Sequence, residues 1–151
     1  MTRLSVNINK IATLRNARGE DYPNLLKTAQ DIISFGAQGI TIHPRPDQRH
    51  IRYSDALELK GKINTELNIE GNPSKKFINL VNEIKPEQVT LVPDSEDAIT
   101  SSAGWDTINN FSFLSDIVEE FHSNSIRVSI FIDPDITMLE GAKKIKADRV
   151  E

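Results

Sequence analysis

The chain contains no cysteine among its 151 residues. Disulfides, thiolate nucleophiles and zinc–thiolate sites are therefore excluded, and a cytoplasmic setting is the plain expectation. No apolar run approaches the roughly 20 residues needed to cross a bilayer, and the amino-terminal MTRLSVNINK carries no apolar core of a secretion signal. Basic charge is in deficit, 18 Lys and Arg against 22 Asp and Glu, giving a net charge of −4 and a pI near 5.4. That balance argues against a protein that grips nucleic acid through a basic face. What remains is ordinary for a soluble globular chain, with 38% hydrophobic and 26% charged residues. The length suffices for one core, so a single domain over 1–151 is expected.

Against this acidic background, one stretch is conspicuously basic. In GITIHPRPDQRHIR (39–52) the β-branched run Ile40, Thr41, Ile42 ends in His43, Arg45, Arg49, His50 and Arg52, which include two of the three histidines of the chain. Pro44 and Pro46 fix φ around Arg45 and block helix, so this is a stiffened loop at a strand's end. Guanidinium and imidazole groups held together suit a phosphorylated or carboxylated small molecule. A merely solvated basic loop is the competing reading.

Along the chain, strand and helix patterns alternate. Residues 3–9 read as a strand with Leu4, Val6 and Ile8 on one face, followed by a polar loop. Leu25, Leu26, Ala29, Ile32 and Ile33 repeat at helical spacing up to Gly36. Residues 39–43 form a second strand, and Ser54 is placed to cap a helix reaching about Thr65. Residues 67–70 form a third strand. Ser74 opens a helix whose Phe77, Leu80, Val81 and Ile84 share a face. Residues 88–92 are a fourth strand, 93–107 a long polar loop, and Leu114, Ile117, Val118 and Phe121 line the next helix. Residues 126–132 read as a strand buried on both faces. Asp133 and Pro134 are placed to open a last helix with Leu139, Ala142 and Ile145 inward, and residues 149–151 begin a sixth strand.

Such alternation implies a parallel sheet, because parallel neighbours need a crossover. A five-stranded doubly wound sheet fits the length. An incomplete (β/α)8 barrel, about five βα units plus the start of strand six, fits better: no glycine-rich phosphate turn follows the first strand, and the last residues lie in an apparent strand. Polar residues then gather at strand carboxyl ends, where either architecture builds its site. They are Asn7 and Asn9, His43 and Arg45, Glu70, Thr100 in the loop after strand four, and Glu151. Glu70 closes an apolar strand, where partial burial would fit a carboxylate for proton transfer. A lone strand-end glutamate more often turns to water, a reading that loses ground beside His43. A doubly wound signalling domain would need an acidic pocket at the first strand's end, which Asn7, Asn9 and Lys10 do not supply.

The segments SVNINKIATLRNARG (5–19), GITIHPRPDQRHI (39–51), LNIEG, QVTLVPD, the Thr100 region ending in GWD, and VSIFIDPD together resemble the pyridoxine 5'-phosphate synthase family, in its order and spacing over the whole chain. The resemblance implies a (β/α)8 barrel that is cytoplasmic, homo-octameric and free of metal and organic cofactor. It implies the ring-closing condensation of 1-deoxy-D-xylulose 5-phosphate with 3-amino-2-oxopropyl phosphate to pyridoxine 5'-phosphate, inorganic phosphate and water. It makes His43 and Glu70 proton acceptors and Glu151 the stabiliser of a transition state. Arg45, His50 and Thr100 would hold the deoxyxylulose phosphate, while Asn7 and Arg18 would contact the aminooxopropyl phosphate.

Asn9 and Lys10 fall where the family commonly has Asp-His touching the sugar phosphate, so binding carries over there but proton transfer does not. The family's histidine proton donor and its glycine-containing phosphate loops come from later βα units, outside 1–151. The chain alone is accordingly expected to be inactive or nearly so. A short protein that binds a sugar phosphate, or only itself, is the competing expectation. Retention of His43, Glu70 and Glu151 speaks against it, because a binder needs no acid–base set. Arg15 has no assigned role; His122 reads as surface and Trp105 as loop packing.

Overall fold

A computed structural model describes residues 2–94 and 103–151 of the chain; Thr100 lies outside them. Two compact units divide it, 1–70 and 71–151. In the first, strands β1 (Ser5–Asn7), β2 (Gly39–Ile42) and β3 (Glu66–Gly71, whose last residue belongs to the second unit) lie in sequence order. They are parallel, with Val6 opposite Ile40 and Ile40 opposite Leu67. Ile40, Ile42, Leu67 and Ile69 are fully buried, and Thr41 and Asn68 between them are buried too, as strands covered on both faces require.

Between β1 and β2 run two helices, α1 (Asn9–Arg18) and α2 (Leu25–Ser34). The polar loop expected after the first strand is therefore a helix, and the strand stops at Asn7 rather than at residue 9. The reason lies in what α1 buries. Its inward face is Ile8, Ala12 and Arg15, at helical spacing but with a charged residue where apolar periodicity needs a hydrophobic one. Arg18 is accordingly the last residue of a helix, and Gly19 ends it at φ 76°. Helix α2 is capped by Asn24, whose side chain accepts from Lys27 N–H.

Helix α3 spans Tyr53–Lys62, so Ser54 is inside the helix and not its cap. Arg52 is the cap position, and its N–H donates to Asp55 Oδ2 at 2.7 Å. The helix stops three residues before Thr65, because Ile63 is already extended.

The second unit holds β4 (Gln88–Leu91), β5 (Arg127–Ile130) and β6 (Arg149–Val150), parallel and again in sequence order. Helices α4 (Lys75–Ile84), α5 (Phe111–Ser123) and α6 (Ile136–Lys144) alternate with them. Ser74 caps α4 by accepting from Phe77 N–H, and Phe77, Leu80, Val81 and Ile84 are its buried face. The cap of α6 is Asp135 rather than Asp133, its carboxylate accepting from Thr137 N–H at 2.6 Å. Of the three residues expected inward, Leu139 is 46% exposed, while Ala142 and Ile145 are buried.

The carbonyl of Gly71, the end of β3, accepts from Val92 N–H just past β4 at 3.0 Å. A doubly wound sheet would place the fourth strand beside the first, or the first between the second and third. Here β2 pairs with β3, which excludes the second order, and the residue after β4 bonds to the end of β3, which excludes the first. The fold is α/β, an incomplete (β/α)8 barrel supplying six of the eight strands. Among the described residues no helix is long and apolar enough to cross a membrane.

Candidate active site

The carboxyl ends of β2 and β3 bring His43 and Glu70 together in the first unit. His43 Nδ1 lies 3.9 Å from Glu70 Oε2, and their side chains are 9% and 14% exposed. At that distance they are coupled electrostatically, and catalytic contacts of this length commonly tighten when substrate arrives. The backbone of His43 is fixed from α1, its N–H donating to Asn9 Oδ1 at 2.8 Å. Asn9 thus holds the strand end in place. Asn7 works one step earlier, its Oδ1 accepting from Asn9 N–H at 2.9 Å.

The loop after β2 folds back on itself. Arg45 N–H donates to the His43 carbonyl and Gln48 N–H to the Arg45 carbonyl, with Gln48 at φ 53° making the tight turn. Arg45 is buried, unusual for a guanidinium and costly without charged or polar company. Asp47 pairs with Arg49 at 2.8 Å. The His50 imidazole is held below its ordinary pKa, first by burial and then by the cationic surroundings of Arg49, Arg45 and Lys10, with Asp47 opposing them. A neutral imidazole among three cations is a donor set for an anion.

His50 gives stability a definite pH dependence. In the unfolded chain its imidazole takes a proton near the ordinary 6.5, and in the fold it does so only at lower pH. Its contribution is therefore complete above about pH 6.5 and is lost as pH falls through the folded value. The urea midpoint is expected to drop between about pH 7.5 and about pH 5.5, and to drop less in His50→Gln. An equal drop in both proteins would refute this.

Other expected site residues are distributed less tightly. Lys10 is exposed at the start of α1. Arg18 sits at the other end of that helix, about 14 Å of axial rise from Asn9, with its guanidinium 5.6 Å from the centre of the Tyr22 ring. In the second unit, Glu151 continues the β6 ladder, donating to the Ile130 carbonyl and accepting from Ile132 N–H. Desolvation holds its carboxyl above the usual carboxylate pKa, which suits a group that meets a proton or a developing charge. Trp105 packs against Phe113, with ring centres 6.0 Å apart. His122 pairs with Asp148 at 2.8 Å. Among the described residues no three His, Asp or Glu side chains gather in a metal-holding group.

Sequence reasoning missed Asp55 and Asn16 and left Arg15 without a role. Arg15 grips Asp55 through two bonds of 2.8 Å, and Asn16 Nδ2 reaches the carbonyls of Arg49 at 3.1 Å and His50 at 2.8 Å. One signal was present: an aspartate three residues after Arg52 marks a helix start.

Comparison with known proteins identifies the family. A curated pyridoxine 5'-phosphate synthase of Flavobacterium johnsoniae is 66% identical over all 151 residues. That of Christiangramia forsetii is 63% identical, and that of Cytophaga hutchinsonii 66%, again over the whole chain. The chain spans 63–64% of the length of these relatives. The family described as "Pyridoxal phosphate biosynthesis protein PdxJ" matches residues 4–151, and the chain belongs to it.

Proposed function

We propose that this chain carries the sugar-phosphate half of a pyridoxine 5'-phosphate synthase site. The observation that carries the reading is the His43–Glu70 pair at adjacent strand ends, 3.9 Å apart and largely buried, beside a loop bearing Arg45 and His50. Condensing an amine with a ketone, expelling water and phosphate and closing a ring are all proton-transfer steps. His43 accepts a proton from the attacking amine or the carbon that loses one, and the Glu70 carboxylate steadies the resulting imidazolium and takes protons in turn. Glu151 stabilises charge at a later step, a role its raised carboxyl pKa supports.

Arg45, His50 and Thr100 hold the phosphate and hydroxyls of 1-deoxy-D-xylulose 5-phosphate, with Asn9 and Lys10 beside them. Asn7 and Arg18 serve 3-amino-2-oxopropyl phosphate. The enzyme works as a cytoplasmic homo-oligomer, with the remaining donors supplied by chain beyond these six strands.

Calorimetric titration of the 151-residue chain with 1-deoxy-D-xylulose 5-phosphate tests this reading. Binding is expected, weakened on the order of 10- to 100-fold in Arg45→Ala because a buried charge-assisted contact is lost. Pyridoxine 5'-phosphate formation from both substrates is expected to be negligible. No binding by the native chain, or equal binding by Arg45→Ala, would overturn the assignment.

A further inference from the structure

Three backbone positions around the candidate site, at His43, Arg49 and His50, are held by side chains of one helix. At its amino end Asn9 accepts from His43 N–H. Two turns further on, Arg15 and Asn16 reach the far end of the basic loop. Asn16 Nδ2 donates to the carbonyls of Arg49 and His50, at 3.1 and 2.8 Å. Arg15 Nη2 approaches the His50 carbonyl at 3.4 Å. The acceptor side of Asn16 is also used, its Oδ1 receiving Arg15 Nε, Arg15 Nη2 and Arg52 Nη2 at 3.2, 3.1 and 2.9 Å. Asp55 closes the network, gripping Arg15 in a fork and accepting from Arg52 N–H.

Asp55 takes only two of the five N–H groups of the Arg15 guanidinium, and Asn16 Oδ1 receives others. The amide nitrogen of Asn16 donates to two consecutive loop carbonyls, which fixes the peptide planes on either side of His50. The imidazole needs such anchoring, because among the described residues no protein group bonds to its buried Nδ1. Ring position is then inherited from the backbone, and the backbone is set by α1. We infer that Asn16, backed by the Arg15–Asp55 fork, is a positioning residue that holds the His50 imidazole in the anion-binding cluster with Arg45, Arg49 and Lys10. This inference rests on the reading of that cluster as a phosphate site.

Its test does not need turnover. The three histidines are titrated by NMR in the native chain and in Asn16→Ala, and inorganic phosphate is then used as the probe. With Asn16→Ala the His50 midpoint is expected to rise by at least about half a unit toward the ordinary imidazole value, as the ring leaves its buried cationic surroundings. Phosphate affinity is expected to fall about tenfold. Far-ultraviolet circular dichroism is expected to be unchanged and reports that the fold is kept.

Should Asn16→Ala not fold, Asn16→Ser removes the same pair of amide bonds with a smaller change in polarity. Unchanged His50 titration and phosphate affinity in a folded variant would overturn the inference. So would a His50 shift accompanied by loss of helical circular dichroism in both variants, which would mean general loosening. A shifted His50 midpoint in a chain whose native form ignores phosphate would support the positioning role while refuting the phosphate site itself.

Discussion

Replacing Asp55 with alanine is expected to cost the chain about 3–5 kcal/mol of folding stability, the usual penalty for orphaning one member of a buried ion pair. Arg15 is 3% exposed and Asp55 9%, and two 2.8 Å bonds join them. The bond to Asp55 raises the Arg15 pKa even though burial opposes it, so the carboxylate more than offsets desolvation of the guanidinium. Without Asp55 the cation stays under the loop with amide and carbonyl oxygens as its bonding partners and the weaker pull of Asp21. Arg52 N–H, at the start of α3, loses its acceptor in the same substitution. Against a typical total of about 5–15 kcal/mol, such a variant unfolds at much lower urea or does not accumulate folded. The double substitution Arg15→Met, Asp55→Leu removes both charges and is expected to recover most of the loss, since apolar side chains of similar volume often match a buried pair. Urea unfolding followed by circular dichroism measures both. A loss below about 1 kcal/mol in Asp55→Ala would put the pair in the class of exposed salt bridges and refute the argument.

The same pair marks where the sequence stopped being legible. Helix α4 could be read from Phe77, Leu80, Val81 and Ile84 because all four face the core and all are apolar. Helix α1 could not, because its buried face is built on Arg15 and Ala12, and hydrophobic periodicity has no way to count a guanidinium as inward. Strands were placed to within two residues at each end, since β-branched and apolar runs such as Ile40, Thr41, Ile42 carry that signal. Helix starts were displaced where two capping residues stood close together, Ser54 against Arg52 with Asp55, and Asp133 against Asp135.

Of the candidate site, the strand-end residues were accessible from pattern alone. Any parallel sheet with alternating helices delivers His43 and Glu70 to one mouth, and the structure sets them 3.9 Å apart. What supports them was hidden, because it lies in contacts about 35–40 residues apart: Asn9 with His43, Asn16 with His50, Arg15 with Asp55. Asn9 gains a different meaning from this. An amide in that place accepts the His43 N–H and fixes the strand end without putting a negative charge beside Lys10.

Gly104→Ala is expected to be the most damaging single methyl that can be added to the second unit. A Cβ at Gly104 would lie 2.1 Å from Asp133 N, 2.3 Å from Ile132 C and 2.4 Å from Ile132 Cα. These are backbone atoms with no rotamer to change. Relief requires the segment to lift off the end of β5, breaking the bond from Trp105 N–H to the Phe131 carbonyl at 2.8 Å and that from Gly104 N–H to Asp133 Oδ1 at 3.1 Å. The expected cost is about 3 kcal/mol, the upper end for forced overpacking. It has its own reporter, because Trp105 is the single tryptophan of the chain and is buried at 8% exposure. Its emission should shift to longer wavelength in Gly104→Ala under conditions where far-ultraviolet circular dichroism still shows the helices. Gly61→Ala is the matched control: its added Cβ meets nothing within 4 Å, it lies in α3, and it is expected to stabilise by about 0.5–1 kcal/mol through helix propensity. A Gly104→Ala chain with native Trp105 emission and an unchanged urea midpoint would show that the two segments do not meet at Gly104. An unseated Trp105 would establish that the GWD segment depends on the bare glycine backbone to reach the strand end where Ile132 bonds to Glu151.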